Sequence, residues 1–170
     1  DRQPSSRYLA VPRVSSERRE YLPLAFCEPT VISTDALLTI DGASLTTFAV
    51  MASKVFTVWN KAVSGRLKSD CRISAEITYN NFPWAELDAQ QQADIEAAAD
   101  GVLQARAEHP EATLADLYDP LSMPKSLAKA HQRLDAAVLN NYGLDARATD
   151  AEILSALFER YLALISAQDG

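Results

Sequence analysis

A chain of 170 residues with 48% hydrophobic content can bury a core, either as one domain or as two small ones sharing an interface. It has no run of 18 apolar residues, no apolar stretch of signal-peptide length after Asp1-Arg2-Gln3-Pro4 and no initiating Met, so the expectation is a piece of a longer, soluble, cytoplasmic protein with no membrane partner. The net charge of -7 argues against nucleic acid on average, yet residues 1–84 hold 10 Lys and Arg against 8 Asp and Glu while residues 85–170 hold 6 against 15, so only the first part suits a polyanion.

From Tyr8 to Ile40 the chain consists of short apolar pieces broken by Pro12, Pro23 and Pro29. Tyr8–Val11, Tyr21–Cys27, Thr30–Ile32 and Ala36–Ile40 are expected to be strands of a small irregular mixed sheet. After Asp41-Gly42 the apolar spacing changes: Leu45, Phe48, Ala52, Val55, Phe56, Trp59 and Val63 predict one helix over 44–63. Gly65 ends it, 66–72 is a charge-dense loop, and Ile73–Tyr79 has β-type composition. Asn80–Trp84 is a turn, because Pro83 disfavours helix at Phe82, and the composition then shifts to Ala, Gln, Asp and Glu. The domain junction is placed there, giving units 1–84 and 85–170.

The second unit is predicted helical over 87–108, 113–118, 124–142 and 149–165. Pro124 suits a first helical position, Gly143 a C-terminal cap, and Thr149 with Glu152 the capping-box spacing. Leu127, Leu134, Val138 and Tyr142 form one apolar stripe, and Ile153, Leu157, Tyr161 and Leu164 another, so a helical bundle follows. The fold class is α+β: a sheet with one long helix, then a C-terminal helical bundle.

Most polar groupings have a structural explanation. Cys27 and Cys71, with only His109 and His131, make no zinc set and are expected to be free thiols. Glu111, Asp116 and Asp119 lack calcium-loop spacing and suit helix capping. His131 and Asp135, four residues apart on a helix, could form an acid–base pair; a buried structural histidine is the plainer alternative. Asn81-Phe-Pro-Trp84 is superficially similar to the motif with which amino-methyltransferases hold the target amine, but it lacks the first proline and no glycine-rich turn precedes it. Phe82 and Trp84 are expected to be anchors at the junction.

The loop Gly65-Arg-Leu-Lys-Ser-Asp-Cys-Arg72 differs in kind. Lys68, Asp70 and Arg72 alternate, and on extended backbone they would project as one row of polar tips. Lys donates to guanine O6 and N7 and Asp accepts from the cytosine amino group, so Lys68 and Asp70 could read one G·C pair from both sides. On the spacing alone, a solvated loop with a weak local ion pair is the plainer reading.

Resemblance separates these alternatives. Pro12–Pro23, Trp59–Arg72, Tyr79–Trp84, Leu114–Pro120 and Met123–His131 resemble, in order, segments of the MmeI-like family of single-chain restriction-modification enzymes, and the similarity covers most of the chain. It implies the end of a DNA target-recognition domain followed by a C-terminal helical domain. It also implies that the nuclease region and the adenine methyltransferase region using S-adenosylmethionine lie upstream, so that this piece holds no cofactor and no catalytic residues. Positions matching Lys68, Ser69, Asp70, Cys71 and Arg72 are implied to vary with the DNA sequence recognised. Base reading is thus expected from Lys68, Asp70 and Arg72. Phosphate contact is expected from Arg13, Ser15, Ser16, Arg18, Arg19, Arg66 and Ser69, the competing reading for the arginines being local ion pairs with Glu17 and Glu20. The sequence departs from the family pattern at Ala85, where a second proline is usual, and at Cys71 and Ile73, where aromatic residues are common.

The expected partners are double-stranded DNA and the upstream methyltransferase domain of the same chain. Two other classes compete: an interaction module whose acidic helical half docks a partner chain, and a small enzyme built on His131 and nearby carboxylates, which lacks a nucleophile or phosphate loop.

Overall fold

The strand Tyr8–Pro12 (β1) is buried on both faces from Tyr8 to Val11, which makes it the centre of a sheet. In the computed structural model, which describes residues 3–168, it pairs antiparallel with Ala25–Cys27 (β3) on one side and Leu37–Asp41 (β4) on the other. Asp1 and Arg2, the start of the polar N-terminus, lie outside the described residues. A second antiparallel sheet has the order Val14–Ser15 (β2), Asp70–Arg72 (β6), Gly65–Leu67 (β5). The α+β class therefore holds, with two three-stranded antiparallel sheets where one mixed sheet was expected.

Four local expectations change. Thr30–Ile32 is not a strand, because its neighbourhood is fixed from outside the sheet: the Gln3 amide donates to the Pro29 and Val31 carbonyls at 3.2 and 2.8 Å, and the Tyr8 hydroxyl donates to Val31 O at 2.8 Å. Tyr21–Leu24 is buried without being strand, and pairing starts only at Ala25, after Pro23. The helix expected over 44–63 is two helices, Leu45–Met51 (α1) and Lys54–Val63 (α2), broken at Ser53, whose backbone is extended (φ -86°, ψ 163°). Ile73–Tyr79 contains no strand; Ala75–Tyr79 is a π-helical turn whose start is capped by the Ser74 hydroxyl, which accepts from Ile77 N–H at 3.0 Å.

The second half follows the predicted pattern. Ala89–Ala107 (α3) and the short Leu114–Leu117 (α4) start with capping boxes on Asp88 and Thr113. Lys125–Asn141 (α5) has Pro124 at its N-cap, one place earlier than expected. It ends where Gly143 takes φ +70°, with Leu144 N–H bonded to Leu139 O and Gly143 N–H to Asn140 O, both at 3.0 Å. Asp150–Gln168 (α6) opens on the predicted Thr149–Glu152 box. Among the described residues no helix is long and apolar enough to cross a membrane.

α3 lies against α1 and α5, and α6 against α2, so one apolar cluster runs through both halves of the chain, from Leu9 and Val11 to Ile153 and Leu157. Phe82 is buried within it and Trp84 packs half-buried against it.

Candidate nucleic-acid interface

The two stretches assigned to DNA contact are joined in one sheet. β2 pairs with β6 through Val14↔Arg72 and Ser15↔Cys71, and β6 pairs with β5 through Gly65↔Arg72, Arg66↔Cys71 and Leu67↔Asp70. Arg13 extends the junction: its carbonyl accepts from Ile73 N–H at 2.8 Å, and its N–H donates to Ala36 O at 2.9 Å. The expected 66–72 loop is thus a hairpin with a two-residue turn at Lys68-Ser69. Only its first turn position has positive φ (58°), as in a type II′ turn.

Directly opposed residues of an antiparallel pair share a face, so the register sorts the side chains. Ser15, Cys71 and Arg66 form one set. Ser15 is 3% exposed and Cys71 2%, which takes the Ser15 hydroxyl off the outer surface. The Arg66 guanidinium is folded back on the hairpin, donating to Ser69 O at 3.2 Å, Cys71 Sγ at 3.0 Å and Lys61 O at 2.9 Å. Leu67, Asp70, Gly65, Arg72 and Val14 form the opposite set. Asp70 and Arg72 therefore do project together, but Lys68 is not in their row, because it occupies the turn and not extended strand.

Lys68, Ser69 and Arg72 are exposed and Asp70 is half-buried. None of the Lys68, Asp70 and Arg72 side chains bonds to another described residue. In the serine-arginine stretch, Arg18 is exposed and Arg13, Ser16 and Arg19 are half-buried. The chain turns there, with Arg19 N–H donating to Ser16 O at 3.1 Å and Arg18 N–H to the Ser16 hydroxyl at 3.4 Å. Arg18 and Arg19 form no ion pair with Glu17 or Glu20 among the described residues. Val14, Gly65 and Leu67 were missed as members of the outer face because a Lys-Ser turn has no glycine or asparagine to announce a hairpin, and without the hairpin there is no cross-strand register to read.

His131 and Asp135 do not form a pair. Arg106 donates to the Tyr118 hydroxyl through Nε (2.8 Å) and Nη2, leaving that hydroxyl to donate to His131 Nε2 at 2.7 Å. The imidazole is therefore neutral with its proton on Nδ1, and it stacks on Tyr21 at 4.0 Å between ring centroids. Burial pushes its pKa down to about 3, and the Arg106 charge acts in the same direction. Asp135 instead accepts from the Tyr21 hydroxyl and from Lys54 N–H, both at 2.7 Å, and burial pushes its carboxyl up to about 6. Its carboxylate caps the start of α2, where Ser53 makes no side-chain cap. These groups fasten residues 21–24 and α2 to the helical half.

The Asn81–Trp84 turn is equally committed. The Asn81 amide donates to Glu76 O at 2.7 Å and Ile77 O at 3.1 Å, and Pro83 O accepts from the Tyr142 hydroxyl at 3.1 Å. The Asn81 NH2 group and the Pro83 carbonyl are thus tied into the turn and its contact with the helical half. Trp84 O accepts from Arg160 Nε at 2.8 Å, and Phe82 packs edge-on to Trp59, Trp84 and Tyr142. Asp116 and Asp119 accept from backbone N–H groups of Thr113 and Leu121. No cluster of three or more metal-ligating side chains forms among the described residues.

Two family models divide the chain: the MmeI target recognition domain matches residues 1–86, and the MmeI C-terminal domain matches residues 87–167. DNA methyltransferase A of Bacillus subtilis (strain 168) is 37% identical over 153 residues, which is 90% of this chain and 17% of that protein. A solved structure of the type IIL restriction-modification enzyme MmeI in complex with DNA superposes with a TM-score of 0.94 at 41% identity, over 97% of this chain and 22% of that one. The chain thus spans less than a quarter of the length of either relative.

Proposed function

The chain belongs to the MmeI family, and from that premise we propose that it is the sequence-reading module of a longer bacterial, cytoplasmic, site-specific adenine-N6 DNA methyltransferase and restriction enzyme. Residues 1–84 complete the recognition domain and 85–170 brace it; S-adenosylmethionine and the catalytic groups belong upstream. An adenine inside a duplex is inaccessible to a methyltransferase pocket and has to be extruded, so a second element must hold the flanking bases in register. This module supplies that hold.

One observation supports the reading most: in the β2–β6–β5 sheet the start of the serine-arginine stretch, on edge strand β2, pairs directly with the central strand β6 of the Lys68–Arg72 hairpin. From the hairpin, Lys68 donates to guanine O6 and N7, Asp70 accepts from the amino group of the paired cytosine, and Arg72 reads a neighbouring pair in the major groove. Arg13, Ser16, Arg18, Arg19 and Ser69 suit phosphate oxygens. Ser15 supports the sheet from inside, and Arg66, exposed but bonded back onto Lys61, Ser69 and Cys71, braces the hairpin.

Mapping of methylated sites made by the full-length protein tests this. Exchanging the charges, Lys68→Glu with Asp70→Arg, is expected to reverse one G·C pair of the motif to C·G, since a good base contact discriminates by about 1–3 kcal/mol, roughly fivefold to 150-fold. A motif unchanged at every position removes Lys68 and Asp70 from the reading role. The exposed apolar face of α6, Phe158, Leu162 and Ile165, favours a second role for the helical half in docking a partner chain. Parental DNA binding that survives the hairpin exchange intact would favour that role as the main one.

A further inference from the structure

Leu67 is a large apolar side chain, 55% exposed, on a two-stranded hairpin otherwise rich in charge. It stands directly across from Asp70, on the face that also carries Arg72, while Arg66 and Cys71 occupy the other face. Cross-strand neighbours have Cβ atoms about 5 Å apart, so any base edge reached by Asp70 lies within one base step, about 3.4 Å, of what Leu67 can touch. Gly65, opposite Arg72, adds no side chain to that face. The other large exposed apolar residues of the first 86, Val31, Ile32 and Ile77, lie outside this sheet.

Major-groove base edges present hydrogen-bonding atoms almost throughout; the exception is the C5-methyl group of thymine. A side chain with no polar atom, placed beside a carboxylate that accepts from cytosine, is complementary to that methyl and to none of the hydrogen-bonding atoms of the adjacent pair. We propose that Leu67 is a specificity residue that packs on the C5-methyl of a thymine in the base pair next to the one read by Asp70. This inference rests on the outer face of the sheet being the base-reading face.

The experiment uses the full-length protein and cognate duplexes in which each thymine in and immediately beside the recognition site is replaced singly by deoxyuridine, which deletes only the methyl. With the natural protein, one position is expected to lose about fourfold in methylation kcat/KM, the equivalent of one buried methyl group. In Leu67→Ala and Leu67→Asn the thymine-to-deoxyuridine ratio at that position falls to about one. The ratio is internal to each variant, so a change in the amount of folded protein cancels. A flat scan with the natural protein overturns the assignment. The same ratio persisting in both variants also overturns it, and if activity then falls equally on all duplexes Leu67 is a contact to another part of the protein. The Lys68→Glu, Asp70→Arg exchange separates the two failures: a changed motif with a flat deoxyuridine scan removes Leu67 alone, and an unchanged motif removes the base-reading face itself.

Discussion

Asp135 and His131 are one helical turn apart on α5, both buried, and displaced in opposite senses: the carboxyl from 3.8 up to about 6, the imidazole from 6.5 down to about 3. Between about pH 4 and 6 the folded chain keeps a proton on Asp135 that the unfolded chain has released, so this group lowers stability as pH rises through that window. Over about pH 3 to 6.5 the unfolded chain holds a proton that native His131 lacks, so this group raises stability as pH rises. From pH 4.5 to 6 the two effects largely cancel, while the lowered carboxylates Glu96, Asp116 and Glu152 add a rise of their own toward the acid end of that range, alike with and without Asp135. Asp135→Asn is therefore expected to leave the His131 contribution unopposed, with the unfolding free energy climbing about 1 kcal/mol per pH unit more steeply than in the natural chain across that range. Urea unfolding at pH 4.5, 5, 5.5 and 6 measures it; a slope equal to that of the natural chain would sink the assignment. The amide's altered hydrogen bonding shifts the whole curve and not its slope. In the sequence, the i, i+4 spacing allowed an acid–base pair but a buried structural histidine was the plainer reading, and His131 is buried; its partner Tyr118, and Tyr21 and Lys54 for Asp135, are far away along the chain or on another element.

At the scale of elements, legibility follows the range of the interactions that fix each one. The capping boxes on Asp88, Thr113 and Thr149 and the glycine cap at Gly143 are local, and the helices they bound were predicted to within a residue or two at nearly every end. The break at Ser53 was not legible, because the carboxylate that caps α2 comes from Asp135, 81 residues away. The π-helical turn hid behind β-favouring Ile73, Ile77, Thr78 and Tyr79, a weak preference that yields to the Ser74 and Asn81 caps and to the bond from Trp59 Nε1 to Thr78 O at 3.0 Å. The hairpin was read as a loop because Lys68, where glycine is usual, holds its positive φ under strain. Lys68→Gly is accordingly expected to stabilise the chain by up to about 1 kcal/mol while removing the cation assigned to guanine. Thermal unfolding with methylation mapping of the full-length variant checks both halves of that trade. A loss of stability would mean that the lysine side chain itself holds the turn.

On the scale of the whole molecule, the boundary at 84/85 is a change of composition and not a gap in the core. Phe82 contacts Phe56 and Trp59 from α2 and Tyr142 after α5, Arg160 of α6 holds the Trp84 carbonyl, and the apolar cluster is continuous across the junction. The acidic half, which looked opposed to nucleic acid, is bound to the half that carries the hairpin by packing and by the Tyr21–Asp135 bond, so it can set the sheet's position without touching DNA. Composition revealed two charge regimes; it could not reveal a shared core, because which apolar stripes meet is decided only on folding. Two units coupled in this way unfold together. Phe82→Ala, removing a side chain that is 3% exposed, is expected to cost about 3–5 kcal/mol and to lower the stability of both halves in a single transition. Tryptophan fluorescence follows Trp59 and Trp84 on the first side of the junction, and far-ultraviolet circular dichroism is dominated by the long helices on the second. Coincident midpoints for the two probes, both displaced by the substitution, fit one cooperative body; a helical transition left unmoved while the tryptophan signal shifts would show that the second half stands by itself.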